Sequence, residues 1–209
     1  MRKPLRLRKT RTLSKSTTQT KESIMGMFDN IEKTAASSNG GSYVRPGHYL
    51  ARIDRVKSGE SAQGSGEFVA IEMTVLDALP DGDIPVDDQF NILSADYWHK
   101  AGENVSHLLM AKHQSFQSNF KSFVANVGGI PEAEVDAGKC TAVTQGLFEG
   151  LIVEVRARTV KTRRGSPFTV VGYSREVPPS EIQERVDAET LERVLGAGKI
   201  DELVAAYDA

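Results

Sequence analysis

The sequence predicts a mainly β domain with accessory helices, because two long hairpins of alternating residues dominate its middle. In the return strand of the first hairpin, an apolar residue occupies every second position: Val69, Ile71, Met73 and Val75. This alternation is typical of a strand with one buried face. The second hairpin, about a hundred residues later, repeats the same order of Val-Lys-Ser/Thr, a Gly-containing turn, Gly-Ser and Phe. A segment with helical spacing of Phe and Val separates the two hairpins.

Five strands are predicted, at about 48–57, 68–78, 88–93, 151–158 and 168–177. Pro46 and Gly47 precede the first strand, and "PDGD" forms a turn after the second. The second hairpin turns at "TRRGSP". An apolar stretch, "VSHLLMAK", lies before the helical segment and has no clear periodicity.

The helical segment is "SFQSNFKSFVANVGG", and its glycine pair predicts the helix end. After a short helical turn at "PEAEVDAG" and the second hairpin, a C-terminal helix begins near Ser180, a candidate N-cap, and is interrupted at Gly196 and Gly198. Strand, long hairpin, strand, helix and hairpin is the order of an OB-like, five-stranded Greek-key barrel with an internal helix and a C-terminal helix. An antiparallel β-sandwich is the alternative that the pattern leaves open.

The chain divides into four predicted segments. They are a disordered basic tail (1–24), a short helix and linker (25–42), the OB-like domain (43–178) and an acidic helical segment (179–209). The tail is basic, rich in Ser and Thr and without periodicity. One interpretation of the tail is a nucleic-acid-binding arm. The other is a translated upstream region, because Lys21-Glu22 can be encoded by a ribosome-binding sequence, and the natural start would then be Met25 or Met27 instead of Met1.

The net charge of −2 hides a strong asymmetry along the chain. Residues 1–24 carry eight Lys/Arg and one Glu, a net charge of +7, whereas residues 25–209 carry 18 Lys/Arg and 27 Asp/Glu, a net charge of −9. Within this acidic part, residues 151–175 carry six basic residues and one acidic residue, a net charge of +5. An acidic protein with one basic hairpin suggests a local site for an anionic partner.

Composition excludes several classes of protein. No apolar run approaches the roughly 20 residues that cross a bilayer, so no membrane partner is expected. The single cysteine, Cys140, excludes an internal disulfide, fits a reducing cytoplasm and reads as a small buried hydrophobic residue.

No catalytic or metal-binding pattern stands out. The spacing of the four histidines matches no zinc signature, "DGDIPVDD" lacks the spacing of a calcium loop, and the Gly-rich segments lack the Lys-Ser/Thr of a phosphate-binding loop. The expectation is therefore a binding module that is not an enzyme and needs neither a metal nor another cofactor.

If the apolar rows of the hairpins form the core, the opposite faces carry aromatic rings and cations. Rings that stack on bases and cations that contact phosphates are what sequence-tolerant binding of single-stranded nucleic acid requires. The predicted DNA-binding residues are Arg52, Arg55, Lys57, Phe68, Trp98, Arg156, Arg158, Lys161, Arg163, Arg164, Phe168 and Arg175. Competing interpretations are a core position for Phe68, an ordinary solvated turn for the basic tip, and either a core position or a stacking platform for Trp98.

Six segments share their order and spacing with known proteins: "MFDN", "PGHYLARIDRVKSG", "GEFVAIEMTVLD", "AGENVSHLL", "NFKSFVANVGG" and "GLIVEVRARTVKTRRGSPFTVVGY". Together they resemble a family of phage-encoded proteins found among replication and recombination genes and regarded as OB-fold single-stranded DNA-binding proteins. The resemblance covers about residues 25–178 and includes no diagnostic catalytic motif. It implies a protein that coats single-stranded DNA in the cytoplasm of a bacterial host, through the basic and aromatic positions of the two hairpins.

One departure from this family concerns the C-terminus. Many such proteins end in a flexible acidic tail that recruits replication or recombination partners, whereas residues 180–209 are patterned like a helix for packing or dimerisation. A homo-oligomer and phage replication proteins are therefore both open as partners. The alternative function is a phage structural or assembly protein, in which the hairpins contact other proteins.

Overall fold

The structure, a computed structural model, describes residues 42–60, 66–79 and 97–207. The chain divides into two units, Met1–Gly40 and Gly41–Ala209, and every described residue belongs to the second unit. The predicted basic tail, the predicted helix near Met27 and the strand predicted at about 88–93 lie outside the described residues.

The described strands form one sheet with the order β1-β4-β3-β2-β5-β6. They are β1 (Ser42–Tyr43), β2 (Gly47–Glu60), β3 (Glu67–Ala78), β4 (Asn104–Met110), β5 (Ile152–Lys161) and β6 (Pro167–Glu176). β1 runs parallel to β4, and every other pair of neighbours is antiparallel. The sheet curls into a half-barrel, so the prediction of a mainly β domain with accessory helices is confirmed. The described strands do not divide into the two sheets of a sandwich.

β2 is one of the two central strands of this sheet, and its irregular pairing accounts for the curl of the sheet. It pairs with β3 along most of its length, and with β5 only over residues 47–52. The register with β3 shifts twice, between Leu50 and Ala51 and between Ile53 and Arg55. Such bulges bend a strand and increase its twist, so β2 can leave β5 and follow β3.

The strand at Asn104–Met110 differs from the sequence-based expectation, which left its apolar stretch unassigned. Leu109 is buried in the core, while its neighbours Leu108 and Met110 are half-buried on the other side. A strand covered on both faces reads as a continuous apolar run, and this is why alternation did not reveal it.

The concave face of the sheet packs against the predicted internal helix, α1 (Phe116–Gly128). The alternating apolar row of β3 is buried there, as predicted, together with Phe120, Phe123 and Val124 of α1. Gly129 ends the helix in the left-handed conformation (φ 61°, ψ 29°), which confirms the predicted glycine stop. A 3₁₀ turn (Glu132–Glu134), α2 (Ala137–Ala142) and a π-helical turn (Val143–Leu147) lead from α1 to β5.

Three helices follow β6 where the sequence predicted one interrupted helix: α3 (Pro179–Arg185), α4 (Ala188–Leu195) and α5 (Lys199–Tyr207). The prediction that Ser180 caps the first of them is wrong: the helix begins at Pro179, after Pro178, and no side chain caps it. Proline suits a first helical turn because that turn does not use its missing N–H.

These helices cover a second hydrophobic cluster on the convex face of the sheet. The sheet contributes Leu50, Leu76 and Ile152, and the helical segment contributes Ile182 and Leu191, all at most 3 % exposed. The C-terminal segment is therefore packed against the sheet, as one of the two sequence-based expectations proposed.

Candidate nucleic-acid interface

The hairpin of β5 and β6 carries the most exposed group of predicted DNA contacts. The register pairs Arg156 with Gly172, Arg158 with Val170, and Val160 with Phe168. Directly paired residues share one face of a sheet, and here it is the convex face, opposite the buried Val155 and Ala157. Both arginines are exposed, and Phe168 is 51 % exposed. A large apolar ring thus lies in solvent on a surface rich in guanidinium groups.

The tip of this hairpin adds three exposed cations, Lys161, Arg163 and Arg164. The N–H of Thr162 donates to the carbonyl of Ser166 at 2.9 Å, and the N–H of Ser166 donates to Thr162 Oγ1 at 3.1 Å. These bonds close the turn and hold the tip as an extension of the strands.

Arg156 is less available than Arg158 because it lies beside a carboxylate. Arg156 Nη2 is 3.8 Å from Glu154 Oε2, which is also 3.2 Å from His48 Nε2. Arg185 of α3 makes a further ion pair with Glu154. Burial on its own would raise the pKa of Glu154, but the hydrogen bonds with Arg185 and His48 outweigh it, and the pKa is lowered. Glu154 is therefore a charged anchor for α3 within the basic hairpin.

Two predicted contacts on β2 form ion pairs with carboxylates on the same face. Arg52 Nε donates to Asp54 Oδ1 at 2.8 Å, and Lys57 makes an ion pair with Glu72. Arg55 is exposed and makes no ion pair with a described residue. Of the three β2 cations, Arg55 has the charge that an incoming phosphate would find least compensated.

Phe68 lies on the outer face of β3, as predicted, but only half exposed. It pairs with Gly59 of β2 on one side and with Met110 of β4 on the other. Its ring covers Gly59 so closely that a Cβ at that glycine would lie 3.2 Å from the ring. The ring therefore packs on the sheet, and one face at most remains for stacking on a base.

The two hairpin tips extend in opposite directions from the shared ladder of β2 and β5. That ladder is antiparallel and pairs Gly47 with Ala157 and Arg52 with Ile152. β2 continues beyond Arg52 towards its tip, whereas β5 continues beyond Ala157 towards the other tip. The tips of the two hairpins therefore lie at opposite ends of the sheet. A DNA strand that contacts both tips must run along the sheet in the direction of its β-strands.

The remaining predicted residues are Trp98 and Arg175. Trp98 is half-buried and packs against the main core cluster, and its buried Nε1 has no hydrogen-bond partner among the described residues. Its neighbour Tyr97 is 38 % exposed and lies under Arg45, whose Cζ is 5.2 Å from the ring centroid. Arg175 is exposed near the irregular end of the β5–β6 ladder.

A groove of about 670 Å³ opens between β4, β6 and α1, and sequence reasoning did not find it. Its walls include Leu108, Phe116 and Val171, and it also contains Tyr43, which is 67 % exposed. The only sequence signal was that "HLLM" and "FTVV" contain apolar residues at adjacent as well as alternate positions, which is typical of strands in contact on both faces. That signal does not show that the two strands face each other.

One contact bridges the groove. His107 Nδ1 of β4 and the Tyr173 hydroxyl of β6 are 2.8 Å apart, and their rings stack with centroids at 5.9 Å. Burial lowers the pKa of His107 to about 4 and raises the pKa of Tyr173 well above its ordinary value. Both groups are therefore uncharged at neutral pH, and they form a neutral hydrogen bond between two strands that do not pair.

Within residues 42–60, 66–79 and 97–207, no three His, Cys, Asp or Glu side chains come together in a way that could hold a metal ion. Cys140 is partly buried against the main core cluster, and burial raises the pKa of its thiol. None of the helices in the described part of the chain has the length and apolar character that crossing a bilayer requires.

The chain was compared with known protein families and with curated proteins. No family matches it, and no curated protein matches it.

Proposed function

We propose that this protein binds single-stranded DNA without sequence preference, on the outer face of the β5–β6 hairpin. The observation that supports this most directly is the half-exposed ring of Phe168 beside Arg158 and the cations of the tip. The ring would stack on a base, which contributes about 1–3 kcal/mol per base. The cations would contact phosphates and displace counterions, so affinity would fall as salt rises.

The proposed fold is an OB-like barrel, and the strand order supports it. β2, β3 and β4 form a meander, α1 follows β4, and β5 returns to pair with β2 before β6. Because every ladder between β4 and β6 is antiparallel, these two strands run in the same direction. OB folds bind oligonucleotides on the faces and loops of such a barrel.

The exposure and ion pairs of these side chains support a ranking of the proposed contacts. Arg158, Phe168 and the tip cations would form the primary site, and Arg55 would be the candidate on the other hairpin. The ion-paired Arg52 and Lys57 would contribute less, because a phosphate must compete with Asp54 and Glu72 for them. Trp98 packs against the core, and this packing is a sufficient reason for a tryptophan at this position without a contact to DNA.

The proposed biological role comes from the sequence resemblance described above. It is the coating of single-stranded DNA during phage replication or recombination, in the cytoplasm of a bacterial host. The packed C-terminal helices argue against a free acidic tail as the recruiting element.

The test is fluorescence anisotropy with labelled oligo-dT of about 30 nucleotides, longer than the roughly 4–16 nucleotides that one OB fold covers. The full chain, and the chain from Met25, should bind it in a salt-dependent manner and should bind a duplex of equal length less tightly. Binding that needs residues 1–24 would assign the affinity to the basic tail instead of the hairpin.

Two variants locate the site. Phe168→Ala should weaken binding about 5- to 150-fold, from the loss of one stacked base. Arg158→Glu should weaken binding and reduce the steepness of the salt dependence by about one ion. The matched controls are Tyr207→Ala, which removes a ring that is 52 % exposed on α5, and Lys199→Glu, which makes the same charge change there. Equal affinity in Phe168→Ala, Arg158→Glu and both controls would contradict the assigned surface. A discrete oligomer without DNA affinity would favour the assembly-protein alternative.

A further inference from the structure

The groove between β4 and β6 is bordered by two strand edges that pair with no strand of the described residues along most of their length. β1 pairs with β4 only at Val105 and Ser106, and the ladders assign no partner to the outer side of β6. Unpaired edges present backbone N–H and C=O groups that can pair with another strand.

On β4, the even-numbered residues direct their backbone groups at the groove. The N–H of Ala111 donates to the carbonyl of Glu67 at 2.8 Å, so odd-numbered residues face β3. The N–H of Val44 donates to the carbonyl of Ser106 at 3.1 Å, on the opposite side. Leu108 therefore points both its N–H and its C=O into the groove, and neither has a backbone partner among the described residues.

On β6, the odd-numbered residues direct their backbone groups at the groove. The bond from Thr162 to Ser166 at 2.9 Å sets the alternation, in which Phe168 and Val170 pair with β5. Thr169 and Val171 therefore point their N–H and C=O groups outwards, and no described residue pairs with them. Pro167 has the same orientation. The N–H that proline lacks would point to the free edge of β6 and not to β5, and proline is tolerated at such a position.

Among the described residues that line the groove, none is a Lys, Arg, Asp or Glu. They are mostly apolar, with Ser, Thr, Asn and His side chains between. A phosphate backbone would find no cation there, whereas an uncharged backbone with apolar side chains would find matching surfaces.

We propose that this groove binds an extended, uncharged peptide segment of a partner protein, which adds to the sheet as a strand between β4 and β6. Its backbone would pair with Leu108 on one side and with Thr169 and Val171 on the other. Every second side chain of the peptide would pack on α1, and the side chains between them would lie on the opposite face, near Tyr43 and Phe168. β1 already adds to the same edge of β4 in this way, and the peptide would continue that pairing. Strand addition of this kind is a recurrent mode of peptide recognition. The inference goes beyond DNA binding and does not rest on it.

The first experiment selects binders from a library of random peptides of about twelve residues, longer than the roughly 5–6 residues of an average strand. The full chain is the target. The selected peptides should share apolar residues at alternate positions and should carry few charges. In hydrogen-exchange NMR, the best peptide should protect the amides of Leu108, Thr169 and Val171. A selection that enriches no such pattern would overturn the proposal.

The second experiment removes single hydrogen bonds. Thr169→Pro deletes an N–H that faces the groove and leaves the ladder with β5 in place, and it should weaken peptide binding about tenfold. Thr169→Val keeps the N–H and should bind as the wild type does. N-methylation of alternate amides in the peptide tests the same bonds without changing the protein, so a folding defect of the proline variant does not affect the conclusion.

Binding that is unaffected by both Thr169→Pro and peptide N-methylation would contradict strand addition. If oligo-dT protects the groove amides from exchange and the peptide does not, the groove binds nucleobases and the proposal is wrong. If Arg158→Glu binds the peptide as tightly as the wild type does but binds oligo-dT more weakly, the protein has two separate sites.

Discussion

His99 lies in the core with only 1 % of its surface exposed, between two polar groups. Its Nε2 accepts the backbone N–H of Arg45 at 3.0 Å, so the proton of the neutral ring lies on Nδ1. Nδ1 in turn donates to Glu103 Oε2 at 2.8 Å, and this hydrogen bond lowers the pKa of Glu103. Each ring nitrogen of His99 therefore has a hydrogen-bond partner. These two bonds explain why a histidine occupies this buried position without a metal-binding or catalytic role.

His107 makes a different, testable contribution. Burial lowers its pKa to about 4, whereas the unfolded chain has an ordinary value of about 6.5. Between these values the unfolded state binds more protons than the folded state, so acid favours unfolding. The free energy of unfolding should therefore decrease by about 2 kcal/mol through His107 between pH 7 and pH 5. Urea unfolding at both pH values measures this change.

The variant for this test is His107→Gln, whose amide can still bond with the Tyr173 hydroxyl. It should lose the contribution of His107, about 2 kcal/mol, to the change in stability between pH 7 and pH 5. His113→Gln is the control, because His113 is exposed and should leave the change intact. An identical pH dependence in His107→Gln and the wild type would show that His107 titrates normally.

At the scale of elements, adjacent glycines at the end of α1 have different roles. Gly129 adopts φ 61°, and a Cβ there would meet no atom within 4 Å, so only the backbone conformation favours glycine. Gly128 is helical, and a Cβ there would lie 3.4 Å from the ring of Phe148. Helical propensity favours alanine over glycine, whereas the left-handed conformation favours glycine.

This difference predicts opposite effects of the same substitution. Gly129→Ala should destabilise the protein by about 1–2 kcal/mol, the cost of a left-handed non-glycine residue. Gly128→Ala should be neutral or stabilise it by up to about 1 kcal/mol. Thermal unfolding measures the stability of both variants. Destabilisation by Gly128→Ala would mean that contact with Phe148 outweighs helical propensity at that position, and an unchanged stability of Gly129→Ala would contradict the cost of its left-handed backbone.

At the scale of the whole molecule, the sheet has a hydrophobic cluster on each face. α1 covers the concave face, and the three C-terminal helices cover part of the convex face at Leu50, Leu76 and Ile152. Glu154 and Arg185 join the last helices to the basic hairpin through an ion pair. The C-terminal segment therefore belongs to the same folding unit as the sheet.

This arrangement predicts that Ile182→Ala is strongly destabilising. Ile182 is 1 % exposed, and its loss should lower the free energy of unfolding by about 2–5 kcal/mol. Leu147→Ala is the control, since Leu147 is 60 % exposed and its loss should change stability by less than about 0.5 kcal/mol. Denaturant unfolding gives both values. A mild effect of Ile182→Ala would indicate that the C-terminal helices are an independent appendage.

The sequence by itself determined β2, β3, β5, β6 and α1, because period-2 and helical patterns are local and each of these elements buries one face. It also determined that Arg158 and Phe168 lie opposite the core, since alternation along a strand assigns each side chain a face.

Only the tertiary structure decided which cations are compensated and where the groove lies. Lys57 pairs with Glu72 because the register of β2 and β3 brings them together, and register is a property of two distant segments. Arg52 pairs with Asp54 two residues along the same strand, and only the structure shows that this ion pair forms. The groove exists because β4 and β6 approach without pairing, around a helix that lies between them in the chain. A local pattern contains no information about such an approach, because it depends on how the whole sheet curls.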